Sequence, residues 1–308
     1  MTDAGRGTVA LTGASGFIGA AIARHLASRG WRLRLLVRPG SQTRLPPLPA
    51  MQVVTGSLAD PDALKQLLDG AQALVHCAGA VRGLTRADFD RVNVVGVQAL
   101  LDAADDSLRV MHISSLAARH PRLSHYAASK RAGEQLVQTC LPPARRVVLR
   151  PPAVYGPGDR ELRPLLERMM QGLALIPGRR DARFSLLHVD DLAAAVACLL
   201  SGDAGWGHTH EPDDGQPGGY AWQDLLLAIA RLRHGPVKAL AVPGPLLSAL
   251  GACNELLARL TGRAPMLTRG KAHELRWPDW VATGNASLLT AGWRPVIHLD
   301  QGLRDTLP

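Results

Sequence analysis

A glycine-rich turn between a short apolar strand and a helix constrains this chain more than any other feature. Residues 12–19 read TGASGFIG, follow the apolar run 8–11, and open a helix predicted over residues 17–28. Glycines at this spacing permit a tight turn and let a pyrophosphate approach the backbone at the helix N-terminus. The segment therefore predicts a dinucleotide-binding turn, and its candidate binding residues are Gly13, Ser15, Gly16, Phe17, Ile18 and Gly19.

Strand-like and helix-like segments alternate along the first half of the chain. The predicted strands are residues 8–11, 31–37, 51–55, 73–77, 109–113 and 146–149, and the predicted helices are 17–28, 61–69, 87–104 and 126–139. Strands that alternate with helices of this length pair in parallel and carry helices on both faces of the sheet. The pattern predicts an α/β Rossmann fold, a doubly wound parallel sheet with a smaller, mainly helical C-terminal substrate-binding part.

The alternation weakens after Pro151, which suggests a division of the chain. We assign residues 1–155 and 184–202 to the nucleotide-binding domain, and residues 156–183 and 203–308 to the substrate-binding part. Residues 203–219 are rich in Gly, Pro, Asp and His and predict a loop, in which His208 and His210 are expected to be solvated. Asp190 is expected to cap a helix over residues 190–200, after His188 in a strand.

Charge narrows the set of partners only slightly. The 308 residues carry a net charge of +9, which suits a nucleic acid, an anionic lipid or a phosphorylated ligand. The sequence contains no helix-turn-helix, RNA-recognition or zinc signature, so we expect neither nucleic-acid binding nor a metal site. Residues 1–8 lack the apolar core of a signal peptide, and cytoplasmic localisation is the expectation.

The end of the second predicted strand bears on the choice of cofactor. An acidic residue there would bind the ribose 2′-hydroxyl of NAD, but this chain has Arg38, with Arg44 a few residues on. A guanidinium suits a 2′-phosphate because it offers forked, charge-assisted hydrogen bonds. The pattern favours NADP, with NAD as the alternative if Arg38 is only a solvated residue of an arginine-rich chain.

A tyrosine and a lysine stand four residues apart in a predicted helix. Tyr126 and Lys130 then share one helix face, and they follow Ser114 and Ser115 at the end of the fifth predicted strand. A nearby cation stabilises a phenolate and lowers the tyrosine pKa. Tyr126 is therefore a candidate proton donor or acceptor for a carbonyl or alcohol oxygen.

Further motifs recur in a recognisable order over about the first two-thirds of the chain. They are HCAG at residues 76–79, NVVG at 93–96, HISS at 112–115, YAASK at 126–130, LRPPAVYGPGD at 149–159 and HVDD at 188–191. With the glycine-rich turn, this set resembles the short-chain dehydrogenase/reductase superfamily, in its extended branch of epimerases, dehydratases and ketone reductases.

The resemblance implies a role for each matching residue. Ser115 would hydrogen-bond the reacting oxygen, Tyr126 would move the proton, Lys130 would hold the nicotinamide ribose, and Asn93 would anchor a water that relays protons to Lys130. Ser57 stands where related proteins usually place an aspartate toward the adenine. A homodimer through helices 87–104 and 126–139 is also implied. The remaining residues expected along the cofactor are Leu58, Cys77, Ala78, Gly79, Pro151 and Val154.

The C-terminal part indicates the substrate class. Residues 240–260 are strongly apolar and are followed by basic residues and by Trp277 and Trp280, a pattern typical of a lipid entry or a peripheral membrane contact. The alternative is that these helices only cover the sheet. The basic residues in question are Arg259, Arg263, Arg269, Lys271 and Arg276.

Together these features predict an NADP-dependent oxidoreductase that interconverts a ketone and a secondary alcohol on a hydrophobic, 3-oxo lipid-like substrate. The chain is similar to hydroxysteroid dehydrogenase-like members and to bacterial ceramide reductases. One alternative is an NAD-dependent sugar-nucleotide epimerase or dehydratase. Another is a non-catalytic nucleotide-binding scaffold.

Overall fold

The computed structural model describes residues 6–49, 51–261, 265 and 267–307. Arg263 and the N-terminal residues 1–5 lie outside the described residues. The strands are β1 (Arg6–Thr12), β2 (Trp31–Val37), β3 (Met51–Thr55), β4 (Ala73–His76), β5 (Arg109–Ile113), β6 (Arg146–Leu149), β7 (Ala153–Tyr155), β8 (Leu173–Pro177), β9 (Arg183–Phe184), β10 (Leu186–His188), β11 (Thr209–His210), β12 (Tyr220–Ala221), β13 (Lys238–Val242) and β14 (Asp279–Trp280).

Helices cover the sheets and build most of the C-terminal third. They are α1 (Phe17–Ser28), α2 (Pro61–Leu68), α3 (Arg86–Asp90), α4 (Gly96–Ala103), α5 (His125–Cys140), α6 (Arg163–Met170), α7 (Val189–Leu200), α8 (Trp222–Leu232), α9 (Gly244–Thr261), α10 (Arg269–Arg276), α11 (Ala286–Thr290) and α12 (Leu299–Thr306). None of the helices in the described ranges combines the length and the apolar content needed to cross a lipid bilayer.

Seven parallel strands form the central sheet in the order β11-β6-β5-β4-β1-β2-β3. Its middle strands are apolar because helices cover both faces. One core packs α1 and α7 against the sheet, and a second core packs α2, α4 and α5 against the other face. This topology confirms the predicted α/β, doubly wound fold with a mainly helical C-terminal part. The carboxyl ends of the strands share one edge, where ligands of such sheets bind.

The helix predicted over residues 87–104 contains an irregularity at its centre. A π-helical turn at Arg91–Val95 joins α3 to α4, and Asn93 lies within it, buried. Thr85 begins this stretch with a capping box to Asp88. Single π turns are frequent at functional sites, since they rotate side chains out of the α-helical register.

The start of α7 corrects one sequence prediction. The helix begins at Val189, and its N-cap is His188, whose Nδ1 accepts from the backbone N–H of Asp190 at 3.3 Å. Asp190 was expected to be the cap, and that prediction is wrong. Its carboxylate lies instead in the first helical turn, where the helix dipole favours a negative charge. Asp191 is buried and accepts from the N–H of Val296 and Ile297 at 3.1 and 2.8 Å.

The segment predicted as a loop over residues 203–219 also departs from expectation. Thr209 and His210 form β11, which pairs with β6 and becomes an edge strand of the central sheet. His210 is buried, and its ring nitrogens contact Ser287 Oγ and the Gly205 carbonyl, each at 2.7 Å. The prediction of a solvated His210 is therefore wrong, while His208 is exposed. β11 belongs to the central sheet, although it lies in the range assigned to the substrate-binding part. The division of the chain into two domains stays a prediction.

A buried ion network fixes α5, the helix of Tyr126 and Lys130, to the sheet. Glu134 is fully buried and accepts from Arg150 Nε and Nη2 at 2.8 and 2.6 Å. Arg150 reaches on to Glu211 at 3.4 Å, next to β11. A buried carboxylate persists as an ion only with such partners. The network therefore holds α5 in register with the ends of β6 and β11.

Candidate active site

A single cleft of about 1790 Å³ runs along the carboxyl edge of the central sheet and continues beneath the C-terminal helices. It brings together side chains from the ends of β1, β2, β4, β5 and β6. The predicted site residues that line it are Gly13, Ser15, Gly16, Phe17, Ile18, Gly19, Arg38, Cys77, Gly79, Ser115, Tyr126, Lys130, Pro151 and Val154.

Four predicted site residues do not line this cleft. Ser57 Oγ accepts from the N–H of Ala59 at 3.2 Å, and Leu58 belongs to the core beneath α2 and α4. The N–H of Ala78 donates to Thr12 Oγ1 at 3.2 Å. Asn93, the fourth, lies behind Gly79. A role in cofactor binding for Ser57, Leu58 and Ala78 stays a prediction.

The geometry of the glycine-rich turn fits a dinucleotide. Gly13 has a φ of +81°, and a Cβ there would lie 2.7 Å from the Ala78 nitrogen. A Cβ on Gly19 would lie 2.2 Å from the Gly13 carbonyl oxygen. The N-cap of α1 is Gly16, and no side chain of the described residues caps this helix. The first turn of α1 therefore presents backbone N–H groups to the cleft, as a bound pyrophosphate requires.

Ser115 and Tyr126 form the polar centre of the cleft. Ser115 follows β5, and its Oγ accepts from the N–H of Ala117 at 3.2 Å. Tyr126 lies in the first turn of α5, and both residues line the cleft. Burial raises the pKa of Tyr126, while the nearby Ser115 hydroxyl acts in the opposite direction. A protonated phenol beside a second hydroxyl can orient a carbonyl oxygen and transfer a proton to it.

Lys130 is buried one helical turn below Tyr126. Its Nζ donates to the carbonyl of Ile113 at 2.8 Å. Burial lowers the pKa of Lys130 to about 8, opposed by Cys77 and Glu134. Burial, with the Lys130 charge as a lesser cause, also lowers the pKa of His76 to about 3, so this imidazole is neutral. An ammonium that titrates near pH 8 can exchange protons with a neighbouring group at working pH.

A second cation that the sequence did not predict acts on Tyr126. Lys271 lowers the pKa of Tyr126, while the predicted effect of Lys130 on this phenol stays a prediction. The Lys130 ammonium donates to the Ile113 carbonyl at the end of β5. Lys271 lies on α10, in another part of the cleft wall. Short-range spacing along α5 identified Lys130, whereas Lys271 reaches Tyr126 only through the tertiary fold.

Both polar atoms of the Asn93 carboxamide are hydrogen-bonded to other groups of the protein. Its Oδ1 accepts from the N–H of Ala80 at 2.8 Å, and its Nδ2 donates to the Ala80 carbonyl at 3.0 Å and to Ser129 Oγ at 2.9 Å. These bonds tie the π turn to the chain after β4 and to α5. A Cβ on Gly79 would lie 3.3 Å from Asn93 Oδ1 and 3.8 Å from Lys130 Nζ, so Gly79 keeps this corner open. The predicted water relay through Asn93 stays a prediction.

A second set of polar residues near Tyr126 was not identified from the sequence. Glu274 on α10 is buried and accepts from Lys271 Nζ at 3.0 Å and from the hydroxyl of Ser124. Ser124 is also the N-cap of α5, where it accepts from the N–H of Ala127 at 2.9 Å. Glu274 thus connects α10 to the start of the helix that carries Tyr126. No local spacing signals this contact, because 150 residues separate its two ends.

The NAD dependent epimerase/dehydratase family has a model that matches residues 9–209 of the chain. A ceramide reductase of Caulobacter vibrioides is 39% identical over 286 residues, covering 91% of this chain and 87% of that protein. A 2-alkyl-3-oxoalkanoate reductase of Stenotrophomonas maltophilia is 28% identical over an alignment of 330 residues, covering 96% and 97%. These similarities extend well past the nucleotide-binding turn into the C-terminal part.

Solved structures share the fold along nearly the whole chain. The crystal structure of gox2253 superposes with a TM-score of 0.76 at 24% identity and covers 97% of this chain and 96% of that one. MoeE5 in complex with UDP-glucuronic acid and NAD gives a TM-score of 0.71 at 19% identity, covering 98% and 97%. At these identities the superpositions show the fold alone.

Proposed function

The chain belongs to the NAD-dependent epimerase/dehydratase family, and we propose that it reduces a ketone on a 3-oxo lipid-like substrate with NADPH. It is an enzyme of the NAD(P)-dependent short-chain dehydrogenase/reductase type. One observation carries the proposal about the substrate: the Ser115–Tyr126 pair lies at the polar centre of a cleft that continues beneath the C-terminal helices along a row of leucine side chains.

The apolar continuation suits an acyl chain better than a sugar nucleotide. Its wall is formed by side chains of α6, β8, β10, α8, β13, α9 and α10, and burial of CH₂ groups there contributes about 0.8 kcal/mol each. A nucleoside diphosphate would need hydrogen-bond donors, and the cleft also contains Arg160, Arg269 and Lys271, so the sugar nucleotide is the alternative that the substrate comparison below tests. The apolar residues of this wall are Leu165, Leu166, Leu175, Leu186, Leu225, Val242, Leu247, Leu250 and Leu275.

The chemistry follows from the positions of three side chains. A bound nicotinamide supplies the hydride. We propose that the Ser115 hydroxyl hydrogen-bonds the carbonyl oxygen and that Tyr126 donates its phenolic proton to the same oxygen. Lys130, one turn below Tyr126, holds the nicotinamide ribose and stabilises the phenolate that forms. Gly13, Gly16 and Gly19 leave room for the pyrophosphate at the start of α1.

The choice of NADP rests on the side chains at the end of β2. Arg38 follows this strand directly and is exposed on the cleft wall, where Arg24 and Arg44 also lie. The position after β2 carries no carboxylate to bind a ribose 2′-hydroxyl. Three guanidiniums around one end of the cleft favour a 2′-phosphate, so we propose NADP over NAD.

The names of the relatives support a 3-oxo substrate. The chain is similar over most of its length to a ceramide reductase and to a 2-alkyl-3-oxoalkanoate reductase. A 3-oxo lipid would place its ketone at Ser115 and Tyr126, with its acyl chain beneath α9. Cytoplasmic localisation and a homodimer remain predictions that rest on the sequence and on the resemblance.

A substrate comparison tests this function. We expect the purified protein to oxidise NADPH when given a detergent-dispersed 3-oxo lipid and to form the secondary alcohol, identified by mass spectrometry. UDP-glucose and UDP-glucuronic acid serve as the matched alternative substrates, and NADPH without a ketone is the blank. Retention of tightly bound NAD with interconversion of the UDP-sugars, and no consumption of NADPH, would establish the epimerase instead.

Lys271 provides a test of how the fold tunes Tyr126. Removing this cation in Lys271→Met raises the pKa of Tyr126 further, because one of the interactions that lower it is lost. Oxidation of the alcohol requires the phenolate, so the rising limb of the pH profile for alcohol oxidation moves to higher pH. The measurement is kcat/KM for alcohol oxidation as a function of pH. Lys238→Met, on exposed β13, is the control, and an unshifted profile in Lys271→Met contradicts the assignment.

A further inference from the structure

Helix α9 turns its most apolar side outward. Its exposed positions recur at helical spacing, and they define what we call the α9 stripe. The leucines of the stripe are between 47% and 79% exposed, far above the exposure of a leucine in a packed helix. The stripe consists of Leu246, Ala249, Leu250, Cys253, Leu256, Leu257 and Leu260.

The opposite side of α9 is packed closely, so the stripe is not an accident of a loosely placed helix. Leu247, Gly251 and Ala258 are buried on that side. A Cβ on Gly251 would lie 2.8 Å from the backbone of Thr268 and Arg269 at the start of α10. Asn254 and Glu255 make hydrogen bonds to the same segment. The orientation of α9 is thus set by its inner side, and the leucines of the stripe are directed to solvent.

The α9 stripe is continuous with the mouth of the active-site cleft. Leu250 belongs to the stripe and also lines the cleft, next to the buried Leu247. Leu175 and Leu240 extend the exposed apolar surface, since they are paired in register between β8 and β13 and both are more than 40% exposed. An acyl chain that leaves an apolar phase at the stripe therefore meets the apolar end of the cleft directly.

Basic side chains flank the stripe at both of its ends. Arg259 is exposed between Leu257 and Leu260, in the last turns of α9. At the other end, the guanidinium of Arg276 lies against Gly244, the first residue of α9. Arg269, at the start of α10, is paired with Glu255 at 3.0 Å and adds no net charge to this surface. An apolar stripe flanked by arginines matches the interior and the anionic headgroups of a bilayer surface.

We propose that the α9 stripe docks on an anionic lipid bilayer, with the stripe below the headgroups and the flanking arginines on the phosphates. This deepens the proposed function and rests on it, because the docked cleft would draw its 3-oxo lipid directly from the membrane. A helix that lies in the interface is held by buried apolar area together with attraction to anionic lipid. A second copy of this chain is the competing occupant of the same stripe.

Vesicle co-sedimentation tests the docking. The full-length protein is mixed with vesicles of phosphatidylcholine alone, or of phosphatidylcholine with phosphatidylglycerol. We expect binding to the anionic vesicles and roughly tenfold or greater weakening in the double variant Leu256→Glu/Leu260→Glu, since neither residue lines the cleft. Val296→Glu is the matched control, an exposed apolar residue on the loop bound to Asp191.

Activity separates failure of the docking from failure of the proposed function. The double variant is expected to reduce detergent-dispersed ketone at the rate of the wild type and to lose turnover of the same ketone presented in anionic vesicles. Vesicle binding without any ketone turnover would refute the function and leave the docking supported. Two results would overturn the docking: equal vesicle binding by wild type and double variant, or a wild-type dimer that ignores vesicles and dissociates when the stripe carries glutamates.

Discussion

Replacing Tyr126 with phenylalanine is expected to lower kcat for ketone reduction by about 10²–10⁴-fold, the usual contribution of a positioned general acid. The change removes one oxygen and keeps the ring, so packing in the first turn of α5 is preserved. NADPH affinity is expected to stay within about twofold, because a lost proton donor acts on the transition state and not on the bound cofactor. The measurements are steady-state NADPH oxidation and fluorescence titration with NADPH.

A second tyrosine supplies the control. Tyr220 donates to Asp214 at 2.6 Å and does not line the cleft, so Tyr220→Phe loses a buried hydrogen bond without touching the site. It should lower the melting temperature and keep most of the activity. If Tyr126→Phe retains wild-type kcat, the proton comes from another group and the proposed chemistry is wrong. Equal losses in both variants would show that the effect is one of stability.

The central fold could be predicted because its signals are local. A strand, a glycine-rich turn and a helix lie within residues 6–28, and the strands β3, β4 and β5 are each followed along the chain by a helix. Gly13 is needed where φ is positive and where the backbone of Ala78 passes within 2.7 Å of a Cβ position. Glycine is the residue that meets both requirements without strain, so such a position can be recognised in the sequence.

The parts that were missed depend on partners far away in the chain. β11 has only two residues and no apolar run of its own, and it becomes a strand because β6 offers an unpaired edge. His210 is buried for the same reason. At α7, Asp190 has the residue type preferred for a cap, but the chain begins the helix one residue earlier and uses the imidazole of His188. Tertiary context overrides local preference in each case.

The candidate site likewise contains residues that local sequence predicted and residues that only distant contacts bring to it. Residues that follow the ends of β1, β2, β4, β5 and β6 are found on the cleft wall, since parallel strands bring their carboxyl ends together. Lys271 and Glu274 belong to the site only because α10 packs against Ser124, which no spacing in the sequence indicates. The apolar run over residues 240–260 predicted helices, but which side of α9 faces solvent is set by its contact with α10.

Replacing Arg38 with alanine is expected to weaken NADPH binding by about ten- to a hundredfold, the effect of losing charge-assisted hydrogen bonds worth about 1.5–3 kcal/mol. NADH has no 2′-phosphate, so its affinity should change little. The wild type should therefore bind NADPH more tightly than NADH, and most of that preference should disappear in the variant. Fluorescence titration of both cofactors measures the four Kd values.

Arg32→Ala is the matched control, because Arg32 is an exposed arginine on the same strand, β2, and does not line the cleft. It removes the same charge from the protein as a whole, so any general electrostatic effect on an anionic cofactor appears in both variants. A loss confined to Arg38→Ala places the 2′-phosphate at the end of β2. Equal or tighter binding of NADH by the wild type would remove the argument for NADP. A tightly held NAD that returns its hydride to the same substrate would then become the better account of this cleft.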